Sequence, residues 1–552
     1  MTGGRVDQAR GPGARPSVPA VAAPPLDLVG FLTRNRVDRL MRALASFREN
    51  ARRHGRRVRF LVADSSESPE TQAACRRAIG TLRTTDPDAP EVRYVGLHER
   101  EAFVDRVAAL GIDPAVIRFG LFDVMSCGFA AGANRNALLL AAAGERFLSV
   151  DDDVVCALAP SPSPTPGVEL FAGRADEYEH YNPADFWFFE DHAALDRAVR
   201  PEDRDALAIH EGLLGQELAA LAPRSGQALI EDRLASALRE RIRARGGQVR
   251  VTMPGLYGDI GWYAPTWLLL LTGPSRERLV SSEAQYRRAC ASREALRVVS
   301  HPTITDGRFF QSTVLGLDNR VPLPPFMPAQ RYEDGVFRIA LRTCFPDGYV
   351  AHLPWAMAHE AEGGRRWERD DIVATARWLR TGELLVHCVR AYAPPSGAGP
   401  EARLRGLGVH LVALGAMAAS DFRAFVRARV VPQKERYLAH LERLLREHDG
   451  APVYWAEDVR RHVDAMRAAL ETDAFFVPRD LVVSPQVAGP EGRYHVTAGP
   501  VAGERSLDEA QALAQRLIQG YGRLLAAWPD LVAATRALRA RGLELGVPVD
   551  AG

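Results

Sequence analysis

The feature that most constrains this chain is a short apolar segment that ends in three consecutive carboxylates. Residues 147–150 have the composition of a buried β-strand, and Asp151, Asp152 and Asp153 follow directly. Three neighbouring anions repel one another, so a positive charge is expected beside them. In an extended chain, alternation sends the first and third carboxylates to the same side. The segment is therefore either a solvated acidic turn or a site for a divalent cation with oxygen ligands.

The residues before this strand predict a helix. Residues 132–144 are rich in alanine and leucine, and Gly144 is suited to ending a helix. Arg135 falls in the first turn, where free backbone N–H groups and the helix dipole favour an anion. Its guanidinium is a candidate phosphate ligand, although a solvent-exposed arginine is also common at a helix start.

Two more strands with polar ends are predicted near the N-terminus. Residues 27–36 and 57–63 are apolar segments that end in polar residues, and the apolar spacing of residues 37–54 indicates a helix between them. Strand, helix, strand with polar strand ends is typical of an α/β domain that binds a nucleotide at the C-terminal edge of its sheet. Neither a Gly-x-Gly-x-x-Gly after the first strand nor a Gly-x-x-x-x-Gly-Lys loop occurs. This argues against a dinucleotide dehydrogenase and a P-loop NTPase.

Taken in order, these motifs resemble the GT-A-fold glycosyltransferases, most closely the inverting family 2 type. The resemblance rests on residues 33–36 after the first strand, 64–66 after the second, 132–136 opening a helix, and 151–153 after the next strand. It implies a Rossmann-like α/β fold with a mixed, mostly parallel sheet flanked by helices. It also implies a metal-dependent enzyme that transfers sugar from a nucleotide-sugar donor to an acceptor hydroxyl, with inversion. The lack of an apolar run long enough to span a bilayer separates the chain from the membrane-embedded members, so the protein is expected to be soluble.

The resemblance also assigns residues to the donor and the metal. Manganese or magnesium would be held by Asp151 and Asp153, bridging the diphosphate. The residues expected at the nucleotide sugar are Thr33, Arg34, Asn35, Asp64, Arg135, Asp151 and Asp152.

A second set of candidate residues lies downstream of a proline-rich segment. Glu333 and Asp334 resemble the Glu-Asp motif whose aspartate is the general base of inverting members. The chemistry needs such a group, because the acceptor hydroxyl must lose its proton as it attacks the anomeric carbon. Locally, the aspartate could equally be a helix N-cap or turn residue. A histidine is a further metal ligand in several such enzymes, and His359 is the first candidate here and His352 the second.

The region between residues 156 and 321 resembles the family least. Residues 255–263 combine glycines, aromatic residues and one acid, which suits a sugar-binding loop and equally a turn before a core strand at residues 266–272. The side chains considered as sugar or acceptor contacts are Asp259, Trp262, Asn319, Arg320 and Glu333.

Length and pattern predict a chain of several parts. A protein of 552 residues with 47% apolar content exceeds one ordinary domain. From about residue 395 onward the apolar spacing is helical, and Ser506 begins a capping box. The predicted parts are a disordered leader (1–25), a catalytic region (26–395) with a nucleotide-binding half (26–156) and a sugar and acceptor half (157–395), and an α-helical C-terminal domain (396–552). This last domain is expected to pack on the catalytic region, to cover the acceptor site or to mediate formation of a homodimer.

Charge, cysteine content and hydropathy limit the possible partners and the cellular compartment. The 70 basic and 69 acidic residues leave a net charge of +1, and Lys434 is the only lysine. Because acids are interspersed nearly everywhere, no nucleic-acid partner is expected. Six widely spaced cysteines without a zinc pattern fit a reducing cytoplasm, and no apolar run is long enough to span a bilayer. Arg366 and Trp367 lack the glutamine that precedes them in processive synthases, which favours transfer of a single sugar.

Two other functions stay open. A nucleotidyltransferase also combines an α/β fold with metal-binding aspartates, but it usually carries a glycine-rich phosphate loop that residues 33–36 lack. A non-catalytic sugar-nucleotide-binding or scaffold protein would keep the fold. The joint presence of Asp151, Asp153, Asp334 and His359 disfavours that third possibility. The acceptor class, whether saccharide, small metabolite or peptide, also stays open.

Overall fold

A computed structural model describes residues 25–85, 90–170, 182–221, 246–361, 365–483 and 505–549. In these ranges the protein is α/β, with one mixed sheet of 13 strands flanked by helices. The predicted leader lies outside the described residues, apart from residue 25.

The strands of this sheet come from nearly the whole length of the described chain. In chain order they are β1 (Leu28–Thr33), β2 (Arg59–Asp64), β3 (Glu91–Val95), β4 (Arg146–Asp151), β5 (Val154–Pro160), β6 (Glu169–Leu170), β7 (Asp185–Phe188), β8 (Gln248–Asp259), β9 (Glu294–Val298), β10 (Thr303–Thr305), β11 (Val314–Asp318), β12 (Gly348–His359) and β13 (Val547–Pro548).

The longest helices lie in the first 150 residues and after β12. They are α1 (Val37–Arg53), α2 (Pro69–Thr85), α3 (Leu97–Ala108), α4 (Pro114–Leu121), α5 (Ala131–Ala141), α6 (His192–Ala198), α7 (Ala206–Glu211), α8 (Leu218–Leu221), α9 (Gly273–Leu279), α10 (Glu283–Ala291), α11 (Glu333–Cys344), α12 (Thr381–Arg390), α13 (Pro400–Gly415), α14 (Ala419–Glu447), α15 (Val453–Leu470), α16 (Arg479–Val482) and α17 (Leu507–Ala540). Short 3-10 helices cover Pro265–Leu270, Arg369–Ala376 and Asp473–Phe476.

The first four strands form a parallel set in the order β3-β2-β1-β4. The chain adds β2 and β3 on one side of β1 and then crosses to add β4 on the other. Ligands of open α/β sheets bind at the C-terminal ends of the strands where this order reverses. Thr33 ends β1 and Asp151 ends β4, with Leu32 paired to Asp151. The order therefore predicts a binding crevice between these two strand ends.

Beyond β4 the strand directions decide which residues reach that edge. β11 runs antiparallel to both β4 and β8, and β12 runs parallel to β8. The ends of β8 and β12, at Asp259 and His359, therefore lie at the same edge as Asp151. The end of β11, at Asp318, is paired with Arg146 at the opposite edge.

Apolar clusters cover both faces of the sheet, and the C-terminal helices share one of them. That cluster includes Leu28 of β1, Leu139 of α5 and Leu524 of α17. The α13–α17 pair crosses closely, because a Cβ on Gly522 would lie 2.7 Å from the carbonyl oxygen of Gly408. At the sheet edge, β13 pairs antiparallel with β3. Helices α13, α14 and α17 thus share an apolar cluster with the sheet that carries the crevice.

Local predictions had mixed outcomes. The helix before β4 and the capping box at Ser506 are confirmed. The core strand expected at residues 266–272 is wrong, since this segment begins with the 3-10 helix Pro265–Leu270. The loop or turn expected from residue 255 is also wrong as far as Asp259, which ends β8. Gly258 is needed in that strand, because it has φ +102° and a Cβ there would lie 2.4 Å from the carbonyl oxygen of His359.

Two global expectations can be compared with the described chain. None of the described helices is long and apolar enough to cross a membrane. All six cysteines are free, and five of them are buried.

Buried neutral histidines link the stability of this fold to pH. His210 is fully buried, its Nδ1 lies 2.7 Å from Oγ1 of Thr252, and burial lowers its pKa to about 3. In the unfolded chain a histidine has a pKa of about 6.5. Between these values the unfolded state binds one more proton than the folded state, so acid lowers the free energy of unfolding.

We therefore expect His210→Gln to weaken the pH dependence of stability. One such histidine removes about 2 kcal/mol of unfolding free energy between pH 7 and pH 5. Urea unfolding at both pH values should show this loss in the wild type, reduced by that amount in the variant. His98→Gln, at an exposed histidine, is the control and should keep the wild-type loss. Equal pH dependence in His210→Gln and wild type would contradict the assignment.

Candidate functional site

A cavity of about 1540 Å³ opens at the C-terminal ends of β1 and β4, where the strand order predicts a crevice. It extends from the acidic turn after β4 to helices α12, α14 and α15. The predicted site residues that line it are Thr33, Arg34, Arg135, Asp151, Asp152, Asp153, Trp262, Glu333, Asp334 and His359.

The three carboxylates lie in a turn rather than along one strand. β4 ends at Asp151, and the next two residues turn the chain into β5. The expected placement of the first and third carboxylates on one side of a strand is therefore not observed. Asp151 accepts a hydrogen bond from Arg135 at 2.7 Å. Arg36 donates to both Asp152 and Asp153 at 3.1 Å. The positive charge expected beside the acidic residues comes from the protein's own arginines.

Burial and neighbouring charges shift the pKa values of these three carboxyls in different directions. Burial raises the pKa of Asp151 to about 6. Burial and the neighbouring charge of Asp153 raise the pKa of Asp152 to about 7. Although burial also opposes the charge of Asp153, His359 and Arg36 hold the pKa of that carboxyl well below its usual range. Asp153 is therefore the most acidic of the three carboxyls.

Asn134, in the motif that opens α5, connects the ends of the first two strands. Its side-chain amide donates to the carbonyl of Thr33 and to the hydroxyl of Ser65, at 3.1 Å each. Its oxygen accepts a hydrogen bond from the fully buried Arg100 at 2.6 Å. Because all four groups are buried, losing one partner would leave an unpaired polar group in the core. Asn134 thus holds the cavity edge together.

The same helix holds the proline-rich segment that leads to Glu333. Asn136 accepts a hydrogen bond from the N–H of Phe326 at 2.7 Å and donates to the carbonyl of that residue at 3.0 Å. A Cβ on Gly132 would lie 1.8 Å from the carbonyl oxygen of Met327, so only glycine fits this contact. The segment is therefore fixed against α5.

Glu333 and Asp334 begin α11 and line the cavity. The preceding Tyr332 has φ 73°, a left-handed conformation that turns the chain into the helix. Glu333 lies 3.6 Å from the guanidinium of Arg135, which links it to the acidic turn. Asp334 accepts a hydrogen bond from the N–H of Gly335 at 2.7 Å, and burial together with the adjacent Glu333 raises its pKa to about 7. This carboxyl can therefore exchange a proton at neutral pH.

His359, and not His352, reaches the cavity. Its Nδ1 donates to the backbone carbonyl of Asp259, and its Nε2 lies 3.2 Å from Oδ1 of Asp153. A histidine oriented by a carbonyl in this way is typical of metal ligands. Although burial opposes the charged form, Asp153 raises the pKa of His359 to about 9. His352 is buried within β12, where its Nε2 lies 3.4 Å from Oγ1 of Thr305.

The predicted metal ligands are only partly assembled. Among the described residues, no three histidine, cysteine, aspartate or glutamate side chains surround a point suited to a metal ion. Asp153 and His359 are in contact, whereas Asp151 is turned toward Arg135. Carboxylate oxygens and an imidazole nitrogen are suitable ligands for Mn²⁺, so the donor types fit a divalent cation. Binding would require loss of the proton that His359 shares with Asp153.

Asn319 and Arg320 were expected at the sugar, but they lie at the opposite edge of the sheet. They follow β11, whose antiparallel direction carries its end away from the cavity. Asn319 instead donates to the carbonyls of Leu139 and Ala142 at the end of α5. Arg320 pairs with Asp318 at 2.7 Å. Both side chains therefore have structural partners far from the acidic turn.

Asp64, Asn35 and Asp259 lie at the correct edge but do not line the cavity. Asp64 is fully buried and accepts a hydrogen bond from the hydroxyl of Tyr94 at 2.6 Å. Asp259 is held by Arg293 at 2.8 Å. Asn35 adopts a left-handed backbone with φ 58°. In the described structure these residues support the cavity wall.

The structure adds cavity residues that the motifs did not indicate. Arg36 belongs to the motif at residues 33–36. The positive charge expected beside the acidic residues was a signal that could have identified it. The far wall comes from segments that show no local pattern. The additional lining residues include Phe309, Gln311, Tyr332, Arg338, Arg380 and Lys434. For Lys434, its being the only lysine in the chain was the available signal.

Arg135 should be essential for stability because it is 3% exposed and paired with Asp151. We expect Arg135→Met to lower the free energy of unfolding by about 2–4 kcal/mol, since it leaves a carboxylate without its partner. The double variant Arg135→Met/Asp151→Asn should recover part of this loss in urea unfolding. Arg118→Met, at an exposed ion pair with Glu101, is the control and should change the free energy of unfolding much less. Additive losses in the double variant would show that the two residues are not coupled.

Comparison with known proteins does not assign this chain to a family. No protein-family model, no curated protein and no solved structure matches it.

Proposed function

We propose that this protein is a glycosyltransferase that moves a single sugar from a nucleotide-sugar donor to an acceptor hydroxyl, with inversion. One observation carries the proposal: a single cavity is lined by the acidic turn at residues 151–153 and by Glu333 and Asp334, with Arg135 between them. These groups are far apart in sequence. Because they line the same cavity, a diphosphate bound at the acidic turn and a candidate base would lie close together.

The fold supports the donor half of this proposal. The parallel order β3-β2-β1-β4, with the cavity at its reversal, suits a Rossmann-like nucleotide-binding half of the GT-A type. Thr33, Arg34 and Arg36 line the cavity at the end of β1. Each is paired with a carboxylate, and the two arginines would exchange that partner for phosphate oxygens when a donor binds. The helices after β12 would form a C-terminal helical part that closes the acceptor side.

A divalent cation would be held by Asp153 and His359, with Asp151 as a third ligand. When bound, it would supply positive charge to the diphosphate that leaves the sugar. Arg135 would hold Asp151 and Glu333 in place while the donor binds.

Asp334 would act on the acceptor. Its carboxylate would take the proton of the acceptor hydroxyl as that oxygen bonds to the anomeric carbon. The bond from the anomeric carbon to the diphosphate oxygen would break, and its electron pair would leave with the nucleoside diphosphate. A pKa near 7 suits a group that must be ionised to accept this proton at neutral pH.

The metal-dependent part of donor binding should depend on Asp153. With Mn²⁺, at least one member of a panel of nucleoside diphosphates should raise the melting temperature, because a ligand at 100 times its Kd adds about 2.7 kcal/mol of stability. Asp153→Asn should lose the increment that Mn²⁺ adds. Asp185→Asn is the matched control, since Asp185 lines the same cavity but pairs with Arg278. An unchanged Mn²⁺ increment in Asp153→Asn would exclude this metal site.

The base assignment predicts a specific kinetic defect. With a panel of nucleotide sugars and acceptors, Asp334→Asn should lower transfer by about 10²- to 10⁴-fold while leaving donor affinity within about twofold. In the wild type, kcat/KM should rise with pH through about 7, because the base acts when deprotonated. Release of nucleoside diphosphate together with glycosylated acceptor measures the reaction. Unimpaired transfer in Asp334→Asn would remove this residue from the mechanism.

The same assay separates the competing functions. A nucleotidyltransferase would form or consume pyrophosphate rather than release a nucleoside diphosphate from the donor. A non-catalytic binding protein would bind a nucleotide sugar and turn over none. Either result would overturn the proposed transfer reaction.

A further inference from the structure

The only lysine of this protein is buried in the wall of the cavity. The chain has 70 basic residues, and all but Lys434 are arginine. Lys434 lies on α14, its side chain is 8% exposed, and it lines the same cavity as Asp334. A buried ammonium is costly unless a partner offsets the lost hydration. Its partners therefore indicate what this part of the cavity is built to hold.

Lys434 shares one carboxylate with a second cation, Arg380. Glu383 lies between them, with its Oε1 3.8 Å from Nζ of Lys434 and its Oε2 3.9 Å from Nε of Arg380. Both distances are too long for hydrogen bonds. Among the residues that the structure describes, neither cationic group donates a hydrogen bond. Three ammonium and five guanidinium N–H donors are thus available to a ligand or to water.

Aromatic rings hold these cations in place. The guanidinium of Arg380 lies over the rings of Tyr263 and Tyr332, at 5.1 Å and 5.4 Å from their centroids, and is 17% exposed. Nζ of Lys434 lies 6.0 Å from the ring centroid of Phe475. Aromatic faces attract a cation without using its hydrogen-bond donors. The two groups are therefore positioned while their donors stay unpaired.

The nearby carboxylate of Asp480 has another role. It accepts hydrogen bonds at 2.9 Å from the backbone N–H and the side-chain hydroxyl of Thr381. It forms no ion pair with Arg380 or Lys434 among the described residues. Its charge acts on Arg380 from beyond ion-pair distance. In direct contact the two cations share only the carboxylate of Glu383, which suits the binding of one further anionic group.

This cluster lies beside the start of α11. Tyr332, which packs on Arg380, immediately precedes Glu333 and Asp334 at the start of α11. We propose that Lys434 and Arg380 bind an anionic group, a carboxylate or a phosphate, carried by the acceptor substrate. The acceptor assignment rests on the proposed glycosyltransferase function, whereas binding of the anion itself does not.

Because the chain has a single lysine, chemical labelling can test anion binding without turnover. Reductive methylation should modify Lys434 and the N-terminal amine, and mass spectrometry distinguishes the two peptides. Glycerate and glycerol 3-phosphate carry the two candidate groups on one carbon skeleton, and glycerol is the neutral control. An anion bound at Lys434 should slow its labelling at least about fivefold, while glycerol should not.

Two controls accompany this test. The variant Arg380→Gln removes the second cation, and a sodium chloride series measures the effect of ionic strength alone. Arg380→Gln should lose the protection, because the second cation is gone. Protection by glycerate alone assigns a carboxylate, and protection by glycerol 3-phosphate alone assigns a phosphate. Protection equal to that from sodium chloride at matched ionic strength, or no protection with either anion, would overturn the proposal.

Kinetics then connect the site to the acceptor. Once a donor is found, the three compounds are compared as acceptors, and the anionic one that protects Lys434 should be used at least about tenfold more efficiently than glycerol. Lys434→Met should raise its KM about tenfold or more with little change for glycerol, and Lys434→Arg should restore part of the loss. An equal effect on glycerol would refute an acceptor role. If labelling shows protection but no donor turns over, the anion site stands and the glycosyltransferase proposal fails.

Discussion

The two hydrogen bonds between Asn136 and the backbone of Phe326 connect the two halves of the site. Asn136 belongs to the helix that presents Arg135 to the acidic turn, and Phe326 belongs to the segment that leads to Asp334. Both groups are buried, so losing the amide would leave backbone atoms unpaired at a cost of about 1–3 kcal/mol. On its other side the segment is held by α17, where the indole of Trp528 donates to the carbonyl of Leu323 at 2.7 Å. The C-terminal helix therefore takes part in positioning the candidate base.

The charges of the cavity are balanced by groups that come from distant parts of the chain. Arg36 from the N-terminal strand end and His359 from the end of β12 meet Asp153, and Arg135 meets Asp151. In a partly buried site such pairs offset desolvation only when they are close and well oriented. A phosphate or metal ion entering here would exchange partners with these groups. That exchange is an electrostatic reason why the proposed donor and cation would bind together.

Local pattern was sufficient where an element depends mainly on its own residues. The β1–α1–β2 unit, helix α5 and the capping box of α17 follow from apolar spacing and cap chemistry. The pattern failed at residues 266–272, where an apolar segment suits a strand or a buried helix equally, and Pro265 begins a 3-10 helix. It failed again at β8, because glycines typical of turns are there to let neighbouring strands approach closely. In both places a neighbour that is distant in sequence determines the conformation.

The sequence by itself determined which chemical groups stand at strand and helix ends: the carboxylates after β4, the arginine in the first turn of α5 and the pair that opens α11. Alternation and helix spacing act over a few residues, so they place these groups on their own elements. Only the tertiary structure decided which of them share a cavity. The antiparallel direction of β11 removes Asn319 and Arg320 to the opposite edge, while the antiparallel β5–β12 pair, which joins Val154 to His359, brings His359 to Asp153. The tertiary structure also places Lys434 beside Arg380 at the same cavity. Strand direction and helix packing depend on burial between segments that are distant in sequence, so local pattern cannot predict them.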